Sequence, residues 1–157
     1  MCCTCEGCLS SGIDIGSIGS MAVSIVAMFI AYNTQKRYLA GNVQMVNGIL
    51  NPIELRKVSG MVVEARKAPN GHDDVAFMLY LHNNGNDAIV NKTFHDLNMV
   101  CALICDKALP AKVITCAKRR IANFLSQEQI LDFVKAQGDT YPELCSLANE
   151  LINKSKS

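Results

Sequence analysis

The chain has 157 residues, half of them hydrophobic, no Trp, and a formal net charge of +1. That length suits one small core plus an anchor and excludes a span joined to two further domains, while the near-neutral balance excludes nucleic-acid binding by bulk electrostatics. Aromatics make up only 6% of the chain, so burial falls mainly to Leu, Ile, Val, Ala, Met and Cys, a composition that suits helices better than sheets.

Residues 1–14 are a Cys-rich stub. Cys2, Cys3, Cys5 and Cys8 contain two overlapping Cys-x-x-Cys spacings, which can hold zinc or an iron–sulfur cluster. A metal site also needs placed ligands and a second shell, and this stub has neither a scaffold nor a His, so no metal and no cofactor is expected. The stub either has no specific chemistry or, outside the cytoplasm, forms disulfides between neighbouring chains.

Residues 15–35 carry no charge, and as a helix they cover about 30 Å, the thickness of a bilayer's hydrocarbon core. Tyr32 sits where an interfacial aromatic belongs, and Lys36 and Arg37 follow as a basic stop. The reading is a single transmembrane helix with the N-terminus outside and the C-terminal part in the cytoplasm. A signal peptide would place its bases before the apolar run, not after it. A buried helix of a soluble domain is the other alternative, and it accommodates Ser17, Ser20 and Ser24 comfortably. Those serines also have a membrane reading: Gly12, Gly16, Ser20 and Ser24 recur every fourth residue, a small-residue stripe along which helices approach closely in lipid. The lipid bilayer and further copies of the chain are the partners this implies.

Residues 36–52 continue as a polar-rich amphipathic extension, with Leu39, Val43, Val46 and Leu50 at helical spacing. Asn51 and Pro52 then restart the chain as a cap and a first helical residue. Residues 53–157 read as a bundle of about five helices, making the whole all-α. A first helix runs to Lys67 and stops at Ala68, Pro69, Asn70 and Gly71. Residues 73–82 allow a strand, but no partner strand is evident and a helix is expected. Residues 86–108 turn Val90, Phe94, Leu97, Cys101 and Ile104 inward. Pro110 opens a helix with Val113, Ala117, Ile121 and Phe124 inward. Ser126 with Gln129, and Thr140 with Glu143, match the capping box. Leu144, Leu147, Ala148, Leu151 and Ile152 form the last stripe.

Chemistry-bearing residues are sparse. Cys101 and Cys105 lie four apart and could face one ligand, although free thiols usually pack in cores. Arg66 and His72 are spaced similarly to the Arg-x4-6-His motif of the HEPN ribonucleases, all-helical domains that cut RNA across a dimer interface. In that family both residues share a helix, whereas here Pro69, Asn70 and Gly71 intervene. Lys118, Arg119 and Arg120, with Lys112 nearby, form the densest basic run, either a contact for RNA or anionic lipid headgroups or a solvated helix face. No Gly-rich phosphate loop and no Ser/His/Asp set is present.

The layout of a charge-free span ending in Asn33-Thr34-Gln35-Lys36-Arg37, before a helical domain with Phe94-His95-Asp96-Leu97 and Leu125-Ser126-Gln127-Glu128-Gln129, resembles uncharacterised bacterial membrane-anchored helical proteins. It also looks like the small membrane accessory proteins of type VI-B CRISPR loci. The latter resemblance implies a HEPN-like, pore-forming homo-oligomer in the bacterial inner membrane that acts in antiviral defence with an RNA-guided effector or its RNA. Under it, the degenerate Arg66 and His72 pair fits a HEPN-like fold that has lost nuclease chemistry, and fits a domain unrelated to HEPN equally. The alternatives are a membrane-tethered RNA-binding or RNA-cleaving module and a non-enzymatic anchored adaptor.

Overall fold

A computed structural model describes residues 15–155, with side chains described for residues 23–151 and 153. Every regular element among them is an α-helix: α1 Ile15–Ile49, α2 Pro52–Lys67, α3 Asp74–Asn83, α4 Asp87–Cys105, α5 Ala111–Leu125, α6 Glu128–Ala136 and α7 Pro142–Ser155. The all-α class holds, with six helices after Pro52 where about five were expected. The chain falls into two units, dividing after Tyr38.

In the first unit, α1 is exposed on all its faces from Val23 to Tyr32, with Val23 at 70%, Phe29 at 66% and Ile30 at 60% exposure. Among the described residues no helix is long and apolar enough to cross a membrane. Residues 15–35, expected as a span, form the N-terminal part of α1.

The second unit holds the core. The α2 helix starts as the sequence dictates: the Asn51 side chain accepts from the Ile53 amide at 3.0 Å, and Pro52 occupies the first turn, where an N–H is dispensable. Leu55, Val58, Val62 and Ala65 recur along one face and are buried, and α2 packs against α3, α4, α5 and α6. On α4 the expected inward residues Val90, Phe94, Leu97, Cys101 and Ile104 are all buried, joined by Val100. On α5, Ala117, Ile121 and Phe124 are buried and Val113 packs partly against them. On α7, Leu144, Leu147 and Ala148 are buried. Residues 73–82 are helical rather than extended, because Asp73 caps α3 by accepting from the Val75 and Ala76 amides.

The scarce aromatics sit at the centre of this core. The Phe94 ring lies 4.7 Å from Phe133, 5.7 Å from Phe124 and 5.9 Å from Tyr141, and Phe77 stacks on Phe133 at 5.3 Å. Four of the chain's five Phe are therefore in one tilted-ring cluster, a geometry favoured over face-to-face stacking. Composition alone underweights these residues, because a few large side chains fill the middle of a small bundle.

Both expected capping boxes fail. Gln127 is the residue that precedes α6, and the Ser126 hydroxyl donates to the Asn123 carbonyl instead. Thr140 stands two residues before α7 and its hydroxyl turns to Gln137. The start of α7 is capped through space: Asn98 on α4 accepts from the Leu144 amide at 2.9 Å. Asn98→Ala leaves that amide without its acceptor and is expected to cost about 1–2 kcal/mol, read as a lower urea midpoint at unchanged slope. Asn98→Asp restores an acceptor and should recover most of the loss.

Candidate functional site

The pair singled out in the sequence, Arg66 and His72, lies at the turn from α2 to α3. Ala68, Pro69, Asn70 and Gly71 end α2, with Asn70 in the left-handed region at φ 61°. Gly71 is obligatory: a Cβ there would meet the Ala65 carbonyl oxygen at 2.4 Å and that of Arg66 at 2.7 Å. This close return of the chain brings the Gly71 carbonyl to Arg66, whose Nη1 donates to it at 2.9 Å and to the His72 carbonyl at 3.4 Å. The Arg66 Nη2 pairs with Asp74 at 2.9 Å, and its guanidinium lies over the Phe77 ring at 4.4 Å. With its side chain only 10% exposed, Arg66 ties the α2–α3 turn to the core. His72 meets this clamp through its backbone carbonyl, and its residue is exposed.

Arg66 and His72 do line one cleft, together with Asp74, Glu128 and Asp132, of about 610 Å³. The spacing from Glu128 to Asp132 puts both on one face of α6, a signal readable locally; that this face lies opposite Arg66 is a tertiary fact with no local trace. No group of three His, Cys, Asp or Glu suited to a metal ion exists among the described residues. Both Nη groups of Arg66 are engaged by the turn's carbonyls and Asp74, while its Nε–H is buried without a partner among the described residues.

The basic run does not form one face. Lys118 on α5 reaches Glu150 on α7 at 3.2 Å, and Arg120, half-buried, donates to the Leu50 carbonyl at 3.3 Å, next to the end of α1. Lys118 and Arg120 are half-buried and Arg119 is exposed. The reason is helical geometry: consecutive residues on α5 point about 100° apart, and their neighbours differ accordingly.

Cys101 and Cys105 also part company. Cys101 is fully buried, and burial pushes its thiol up to about 12, whereas Cys105 is exposed at the end of α4, correcting its place in the core. Thiol alkylation near pH 8, followed by peptide mass mapping, is expected to label Cys105 in the folded chain and Cys101 only in denaturant. Labelling of both at similar rates would contradict the packing of α4. His82 at the end of α3 bonds Asp87 in the first turn of α4 at 3.1 Å, and that bond holds the Asp87 carboxyl below its usual range. Its contribution is present at neutral pH and is lost as pH falls through that lowered value. His95 is an exposed residue of α4.

Gly12 and Cys2, Cys3, Cys5 and Cys8 lie outside the described residues, and Gly16 and Ser20 lie on α1 where side chains are not described. Ser24 is described, on exposed α1. No protein-family model, curated protein or solved structure matches the chain.

Proposed function

We propose that α1 anchors this chain in a lipid bilayer and that the α2–α7 bundle is the domain it tethers. The observation that supports this is the exposure of Val23, Ile25, Val26, Met28, Phe29 and Ile30 around every side of one helix. A helix apolar all round is stable only where its whole circumference is covered, and each large side chain left in water forgoes roughly 1.5–3 kcal/mol. A single protein partner covers one face; acyl chains cover all of them. The sequence extends the charge-free stretch back to Ile15, along a helix that begins there.

The proposal stops at anchoring. Flotation with vesicles of zwitterionic lipid tests the anchor. The full chain is expected to rise with the vesicles and resist alkaline extraction, and Val26→Arg with Ile30→Arg to release it, since each charge at mid-span costs about 2.5–3.5 kcal/mol. A wild-type chain that stays in the aqueous fraction would refute anchoring.

A further inference from the structure

A second feature lies wholly within the unit that begins at Leu39. Two adjoining cavities, of about 320 and 220 Å³, share Leu50 and Arg120 as a common wall. Arg56 and Arg120 line the first, and Lys112 joins Arg120 in lining the second. No carboxylate lines either cavity, and none of these three cations forms an ion pair with any described residue. This is unusual for Arg120, whose half-buried guanidinium makes a single long bond to the Leu50 carbonyl. A partly desolvated guanidinium with spare donors is stabilised by an anion.

The remaining walls are chiefly apolar. Leu55 and Phe124 line the first cavity, and Val46, Val113 and Ala117 the second. The first also offers the amide of Asn123, while the buried Ser59 hydroxyl in its wall donates to Gln127 at 2.6 Å. An apolar trough with a cation-only rim is complementary to a molecule that is doubly charged at one end and apolar at the other.

We propose that this groove binds a phosphate monoester carried on a short apolar chain, the phosphate between Arg56 and Arg120 and the chain along Val46 and Val113. Guanidinium groups engage phosphate oxygens through paired N–H donors, so two of them suit a dianion better than a monoanionic carboxylate. The site is independent of membrane anchoring, because every residue in it belongs to the second unit.

Hexyl phosphate, inorganic phosphate and hexanol, titrated calorimetrically into the full chain in a neutral detergent, test it. Hexyl phosphate is expected to bind saturably and about tenfold more tightly than either of the others. Arg56→Gln and Arg120→Gln should each weaken it about tenfold while leaving the helical circular dichroism intact. Arg56 is exposed, so that variant remains informative even if Arg120→Gln disturbs the end of α1. Absence of saturable binding would overturn the proposal. So would equal affinity for hexanol, which marks a merely apolar groove, equal affinity for inorganic phosphate, which marks a free-anion site, or indifference to Arg56→Gln.

Discussion

Phe94→Ala is expected to destabilise the second unit by about 3–5 kcal/mol, a large fraction of the stability of a domain this size. Phe94 is fully buried and touches Phe124, Phe133 and Tyr141, rings contributed by α5, by α6 and by the residue before α7. Truncation removes its transfer free energy and opens a cavity that three aromatic walls cannot easily collapse into. Urea unfolding followed by circular dichroism measures the loss as a lower midpoint. Phe29→Ala is the comparison: the same atoms are removed from an exposed position on α1, and the midpoint of the bundle should not move. A loss below about 1.5 kcal/mol for Phe94→Ala would mean that the rings do not form the centre of the core.

Arg66→Ala is expected to cost about 2–3 kcal/mol, because it removes charged donors from the Gly71 and His72 carbonyls and uncovers the Phe77 ring. Its ion pair with Asp74 contributes little of this, since Asp74 is 53% exposed. Arg66→Lys should recover only part of the loss: an ammonium cannot serve two carbonyls and a carboxylate in the plane that the guanidinium fork provides. His72→Ala is expected to stay within about 0.5 kcal/mol of wild type. The contrast separates two readings of the pair. A catalytic pair would tie loss of RNA cleavage to either residue with little change in folding; the clamp ties loss of folding to Arg66 alone.

The fold was legible where local chemistry sets it. Asn51 and Pro52 start α2 as their side chains require, and the α4 stripe from Val90 to Ile104 faces inward residue for residue. Failures came where a distant group supplies what the local motif offers. Thr140 looks like the cap of α7, yet Asn98, far along the chain, accepts from Leu144. Lys118, Arg119 and Arg120 are adjacent in sequence, yet Lys118 pairs with Glu150 and Arg120 reaches the Leu50 carbonyl, contacts that only the fold supplies. The clamp around Arg66 is half visible in the sequence: its spacing to His72 is local, but only the fold of the turn shows that the backbone of residues 71 and 72, and not the imidazole, is what Arg66 meets. The cation-lined groove had no local signature, because Arg56 and Arg120 come from α2 and α5.

Whether the apolar turns of α1 lie in lipid decides the functional reading. The chain has no Trp, so Phe29→Trp places a single indole reporter in the middle of the exposed stretch without other emitters of its kind. In zwitterionic vesicles its emission is expected to be blue-shifted, quenched by lipids brominated in the acyl chain and insensitive to aqueous iodide. Emission at the position of a water-exposed indole, quenched by iodide and indifferent to brominated lipid, would contradict membrane anchoring.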